Sequence, residues 1–190
     1  MAERLGLGII GAGLMGRELA SAVARWVHLD DLGVEPRLVH VCDVQPEILR
    51  WYERLEPRPA LTTDHRELLA DDRVDAVYCA VPHHLHEALY LDVLSAGRHL
   101  LAEKPFGIDV AAARTLVAAA EARPDRLVRV SSEFPFSPGG QEVWRWIADR
   151  RFGRLIEVRA RFLHSSDLDP LKPINWKRRA GQNGEYGCMG

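Results

Sequence analysis

Apolar residues fall first into an unbroken run at 5–10 (LGLGII) and then, across a glycine-rich turn, into a helical pattern of alanine and leucine over 14–27. Similar runs return at 37–43 (RLVHVCD), 74–81 (VDAVYCAV), 98–103 (RHLLAE) and 127–132, with a short candidate at 60–63. These stretches are largely apolar at consecutive positions, so they read as strands covered on both faces. Segments of helical period lie between them. One spans 46–55, with Ile48, Leu49 and Tyr52 on one side, and a short one capped by Asp64 runs through Leu68 and Leu69. A third carries Leu85, Leu89, Val93 and Ala96 and stops at Gly97; a fourth, capped by Asp109, carries Val110, Ala113, Leu116, Val117 and Ala120. Strands alternating with helices predict an α/β fold, a doubly wound parallel sheet with helices on both faces.

The pattern changes near Glu133. Residues 134–140 (FPFSPGG) read as a hinge, and 141–150 as a helix carrying Val143, Trp144 and Ile147. Ile156, Val158, Ala160 and Phe162 then alternate with Glu157, Arg159 and Arg161, which predicts a half-buried strand of a different, antiparallel or mixed sheet. From 164 to 190 no period is sustained. One helix and one strand cannot bury a sheet face, so this apolar set has too few partners. The expected organisation is a dinucleotide-binding domain over 1–133, followed at 134–190 by the truncated start of an α+β second domain. The chain then reads as the N-terminal part of a longer protein, sticky or oligomeric by itself.

Composition narrows the class. Of the 190 residues, 47% are hydrophobic and 27% charged, and the net charge is -2 at pH 7, as in an ordinary soluble globular protein. The arginines are scattered, so nucleic acid is not an expected partner. No apolar run reaches the length of a membrane span and the N-terminus has no signal-peptide pattern, so no membrane partner and a cytoplasmic location are expected. Cys42, Cys79 and Cys188 are odd in number and far apart, and they read as reduced thiols.

The turn at 11–16 (GAGLMG) carries the first chemistry. Gly11 permits a tight turn off the strand, Gly13 lets backbone approach a pyrophosphate, and Gly16 lets the helix pack against the strand. The helix then opens at Leu14 and Met15 with free N–H groups and the positive end of its dipole facing the phosphates. Asp43 ends the second strand. It either accepts hydrogen bonds from both hydroxyls of an adenosine ribose or is a turn residue at a strand end. Its carboxylate would repel a 2′-phosphate and no arginine stands at 44–46, so NAD is favoured over NADP. His83, His84 and His86 lack the i,i+4 pairing and the acid or cysteine company of a metal site, so no metal is expected. His83 and His84 read as solvated loop residues.

The glycine motif, Asp43, Ala80-Val81-Pro82 with His86 four residues after the proline, Ser95-Ala96-Gly97 and above all Glu103-Lys104-Pro105 (AEKPFG) together resemble the Gfo/Idh/MocA family. That family includes glucose-fructose oxidoreductase and inositol dehydrogenase. The resemblance runs over nearly the whole chain, and it implies a Rossmann fold followed by a mixed-sheet domain that carries substrate contacts and often the oligomer interface. It places Lys104 beside the nicotinamide and the substrate hydroxyl, where an amine can exchange a proton with oxygen. It also implies cofactor contacts at Ala80, Pro82, His86 and Glu103. Asn175-Trp176-Lys177 resembles a segment approaching the nicotinamide, with Trp176 over the ring or simply in the domain interface, and with Lys177 or Arg178 as the group that would bind an anionic or polyhydroxylated substrate. Whether the bond before Pro105 is cis the sequence leaves open.

One feature of the family is missing from this sequence. Its further catalytic aspartate and histidine follow a glycine-rich segment resembling 183–190, where the chain stops. The expected activity is hydride transfer between NAD and a sugar, polyol or related small hydroxylated substrate, in a homo-oligomer assembled through the second domain. Two alternatives stand beside it: a glycoside hydrolase using bound NAD in a closed redox cycle, and a dinucleotide-binding module without turnover.

Overall fold

The computed structural model describes residues 2–29, 33–161, 163, 165 and 168–184. Its sheet contains six strands: β1 (Glu3–Ile10), β2 (Val34–Cys42), β3 (Ala60–Thr62), β4 (Ala76–Cys79), β5 (His99–Ala102) and β6 (Val128–Val130). They lie in the order β3-β2-β1-β4-β5-β6 and every neighbouring pair is parallel. The chain winds outward from β1 to β3 and then crosses back to β4, so the order reverses beside β1. A parallel sheet opens a crevice at the carboxyl ends of its strands at such a point.

Alternation along the strands divides the core into two layers. Ile9, Val41 and Tyr78 stand in one row across β1, β2 and β4, while Ile10, Cys42 and Cys79 stand in the next and face the opposite side. The first row packs under α1 (Leu14–Ala24), α2 (Pro46–Leu49) and the turn after α2, through Ala20, Leu49 and Tyr52. The second packs under α3 (His65–Ala70), α4 (His86–Ser95) and α5 (Val110–Glu121), through Leu68, Tyr90, Val93 and Leu116. Complete burial of such side chains contributes about 1.5–3 kcal/mol each. Asp64 and Asp109 cap α3 and α5 as expected, accepting from the N–H groups of Arg66 and Ala112. Cys42 and Cys79 are buried free thiols, with Cys42 pushed up to about 12 by desolvation first and then by Asp43. Cys188 lies outside the described residues.

Three expectations need correction. The first helix ends at Ala24, and a 3-10 turn follows at Trp26–His28, where the Trp26 indole N–H donates to the Val34 carbonyl at 2.9 Å. The helix expected over 46–55 tightens after α2 into a 3-10 turn at Arg50–Arg54. There Tyr52 is driven fully inward and its hydroxyl donates to the Ala12 carbonyl at 3.2 Å. The alternating segment at 156–161 forms no strand, and Ile156 and Val158 are exposed at 88% and 76%. A strand requires a neighbour to accept its ladder, and none stands beside this segment among the described residues. Phe162 lies outside the described residues. Upstream, α6 (Pro138–Ala148) is capped by Ser137, and Val143, Trp144 and Ile147 along it are exposed.

Asp71, just after α3, ties that helix to β2. It accepts from Arg73 Nη2 at 2.6 Å and Nε at 2.9 Å, and it faces His40 Nδ1 on β2 at 2.9 Å. The Arg73 guanidinium first, and His40 after it, hold its carboxyl well below the usual carboxylate range. A depressed carboxyl stabilises the fold above its unfolded pKa of about 3.9, and this contribution is lost as pH falls toward the folded value. Asp71→Asn should therefore cost about 1–2 kcal/mol at pH 7. In urea titrations the gap to wild type should narrow below about pH 4; an equal gap at pH 3 and pH 7 would refute this assignment.

Candidate functional site

The crevice is formed where β1 turns. Gly11 has φ +94°, and a Cβ there would stand 2.3 Å from the Ala80 carbonyl oxygen at the end of β4. Its N–H donates to the Cys42 carbonyl at 2.9 Å, so the chain threads between the ends of β2 and β4. At Gly16 a Cβ would stand 2.5 Å from the Gly11 oxygen and 2.9 Å from the Tyr52 hydroxyl, so α1 begins close against the turn. Gly13 differs from both. Nothing lies within 4 Å of a Cβ placed there. Gly13 is the N-cap of α1, no side chain caps the helix, no acid sits in its first turn, and Leu14 and Met15 are exposed. An uncapped helix start over an open glycine suits a phosphate group.

Asp43 is a turn residue at the end of β2, and it also reaches the glycine turn. Its Oδ2 accepts from the Ala12 N–H at 2.9 Å, which fixes the glycine turn, and its Oδ1 accepts from the Gln45 N–H at 3.0 Å, a turn contact. Each oxygen retains a second lone pair for a hydroxyl donor.

On the other side of the crevice the Glu103-Lys104-Pro105 turn leaves β5. Glu103 is buried; its Oε1 accepts from the Tyr78 hydroxyl at 2.6 Å and its Oε2 from the Lys104 N–H at 3.1 Å. The Glu103 carbonyl accepts from the Tyr90 hydroxyl at 3.0 Å. His86, wholly buried, sets Nε2 3.0 Å from the Val81 carbonyl and Nδ1 2.8 Å from the Pro105 carbonyl, spanning the two loops of the crevice. Burial pushes its pKa down against the two carbonyls. The Lys104–Pro105 peptide bond is cis. Lys104 itself is exposed, beyond the end of β5.

Ala80 and Pro82 sit where the sequence places them. The Ala80 N–H donates to the Ile10 carbonyl at 2.8 Å, and Pro82 precedes a 3-10 turn at His83–Leu85. His84 is exposed, but His83 corrects the solvated reading by being buried. Its ring meets the edge of Trp176 at 4.9 Å between centroids, and its Nδ1 lies 3.3 Å from the Asn183 carbonyl. Burial pushes the His83 pKa down, and the neighbouring charges of His86, Lys104 and Lys177 act in the same direction. Trp176 thus reaches the β4 side of the crevice, on a 3-10 turn at Trp176–Arg178 that leads to α7 (Ala180–Asn183).

The sequence reading misses Tyr78, Tyr90 and Asn183. The tyrosines sit in apolar patterns that disclose only their burial. Asn183 is buried and donates from Nδ2 to the Lys177 carbonyl at 2.7 Å. An Asn-Gly pair is the signal available for it, because Gly184 has φ +78° and a Cβ there would meet the Ile108 oxygen at 2.5 Å.

Residues 5–131 match the family described as "Oxidoreductase family, NAD-binding Rossmann fold". Among curated proteins the chain is 24% identical over 177 residues to levoglucosan dehydrogenase of Pseudarthrobacter phenanthrenivorans, covering 92% of this chain and 45% of that protein. It is 26% identical over 162 residues to inositol 2-dehydrogenase of Corynebacterium glutamicum, covering 84% and 45%. The chain therefore spans about half the length of these relatives. Among solved structures, an oxidoreductase domain protein from Kribbella flavida superposes with a TM-score of 0.88 at 30% identity, covering 97% of this chain and 49% of that one. A levoglucosan dehydrogenase in complex with NADH shares the fold with a TM-score of 0.87 at 23% identity, covering 96% and 49%.

The contrast between the glycines is testable. Gly13→Val should leave the melting temperature within about 2 °C of wild type, since its side chain enters open space, yet weaken dinucleotide binding at least about tenfold by filling the phosphate approach. Gly11→Ala should destabilise the fold by more than about 2 kcal/mol through its clash and its positive φ. Thermal denaturation and NADH titration decide the point, and equal destabilisation by the two changes would contradict it.

Proposed function

The chain belongs to the Gfo/Idh/MocA oxidoreductase family with its NAD-binding Rossmann fold, and from that premise we propose that it forms the cofactor-binding half of a dehydrogenase acting on a CH–OH group of a sugar or polyol. The observation that carries this reading is the meeting of three features at one edge of the sheet. They are the open Gly13 beneath an uncapped helix, Asp43 at the end of β2, and exposed Lys104 on a clamped turn beyond β5. Bound NAD supplies a hydride acceptor and donor. The chain's residues supply its orientation: the first turn of α1 takes the pyrophosphate, Asp43 the adenosine ribose hydroxyls, and Ala80, Pro82, His86, Glu103 and Trp176 surround the nicotinamide end. Asp43 favours NAD over NADP, because a 2′-phosphate would meet its carboxylate.

In this reading Lys104 is the catalytic residue on this chain. With the turn around it fixed by Tyr78, Tyr90 and His86, its amine takes the proton from the substrate hydroxyl as the carbinol is oxidised, or returns it in reduction. Levoglucosan and inositol dehydrogenases among the relatives make a small polyhydroxylated substrate the natural class. Residues 1–133 form the cofactor domain in this proposal, and 134–190 begin a second domain through which copies associate. The exposed apolar side chains of α6 and of Ile156 and Val158 support that association. No described helix is long and apolar enough to cross a membrane, and a cytoplasmic location is part of the proposal.

The test is NADH formation at 340 nm from a panel of sugars and polyols, run on this chain and on the product of its uninterrupted reading frame. Lys104→Met in the active form should lower turnover about 10²–10⁴-fold while the Kd for NAD+ stays within about threefold. A protein that binds NAD+ and reduces none of it across the panel would refute the dehydrogenase reading.

A further inference from the structure

Glu103 is a carboxylate placed where charge is hard to hold. It is 6% exposed, and no Lys, Arg or His nitrogen lies within ion-pair distance of it among the described residues. Two dipoles hold it instead, the Tyr78 hydroxyl and the Lys104 N–H. Burial pushes the Tyr78 phenol up, so the hydroxyl remains a donor throughout the physiological range. Glu103 turns inward while Lys104 is exposed, so the carboxylate does not pair with the amine that handles the substrate proton. A buried anion fixed by dipoles and left without a counter-cation exerts its field on whatever lies next to it, weakly screened by water.

We propose that Glu103, held in place by Tyr78, sets the oxidation-state preference of the cofactor site, favouring the cationic oxidised nicotinamide over the neutral reduced one. This rests on the nicotinamide end lying against the β4 and β5 termini, as in the function proposed above. When its amine holds a proton, Lys104 places a positive charge at the same edge and opposes the oxidised form; Glu103 offsets it. Glu103 acts here on binding, and it takes no proton and touches no reacting atom.

The experiment titrates the full chain with NAD+, NADH and ADP-ribose, the last lacking the nicotinamide. Glu103→Gln keeps the shape of the side chain and removes its charge. It should leave ADP-ribose affinity within about twofold and reduce the preference for NAD+ over NADH by about tenfold. Tyr78→Phe should shift the ratio in the same direction by a smaller factor, because it removes one of the two donors that fix the position of the carboxylate. Equal weakening of both nicotinamide forms, or an unchanged ratio, overturns the proposal and leaves the dehydrogenase reading intact. If Glu103→Gln loses ADP-ribose binding through misfolding, the Tyr78→Phe ratio decides. A wild-type chain that binds neither NAD+ nor NADH overturns both.

Discussion

The site depends on how closely the backbone passes between two strand ends at Gly11. β1 is flanked by β2 and β4, and its continuation must turn in the gap between the Cys42 and Ala80 carbonyls. Only a residue without a Cβ and able to hold φ +94° fits there. Once the turn is this tight, α1 starts directly above it, which in turn requires the second missing Cβ, at Gly16. Tyr52 and Asp43 then fasten the residue between, Tyr52 through the Ala12 carbonyl and Asp43 through the Ala12 N–H. The consequence is a helix start that is rigid, uncapped and open above Gly13.

The opposite wall of the crevice is built on a different principle. The glycine turn is shaped by absent atoms, whereas the Glu103-Lys104-Pro105 turn is shaped by three buried side chains that hold backbone and carboxylate. Tyr78, Tyr90 and His86 each come from the strand or helix that follows the switch of strand order, so the fold itself delivers them to one place. A hydrogen bond of this kind contributes about 0.5–1.5 kcal/mol, more to a charged acceptor, but removing its partner in a buried site costs more than that. The Glu103 carboxylate and the Pro105 carbonyl are therefore held in place, and Lys104 is left exposed between them.

What the sequence disclosed and what it hid follow from the range of the forces involved. The six strands of the sheet and the caps Asp64 and Asp109 are local matters, set by neighbours within a few residues, and the structure reproduces them; the glycine spacing is legible in the sequence, but the Cys42 and Ala80 carbonyls that demand Gly11 come from other strand ends. Burial of His83 is not local, for it depends on Trp176 and Asn183, about a hundred positions away. The hydroxyls of Tyr78 and Tyr90 are polar tips on residues whose periodic positions advertise only apolar bulk, so their partners could not be read from the pattern. The helix at 46–55 had the right period, but period does not separate α from 3-10 winding when one side chain must reach inward. The alternation at 156–162 predicts a half-buried strand that does not form over 156–161, where every residue is exposed, because alternation specifies a face and not the neighbouring strand it needs.

A boundary drawn near residue 133 follows the change in pattern, yet the contacts do not respect it. The stretch from Asn175 to Gly184 returns to the sheet, where Trp176 and Asn183 cover His83 and Gly184 fits under the Ile108 carbonyl. The end of the crevice that holds Lys104 is thus closed by residues from beyond the boundary, while the end that holds Gly13 and Asp43 is built wholly before it. The surroundings of Lys104 depend on a long-range contact. The two ends of the crevice are held by separate sets of interactions.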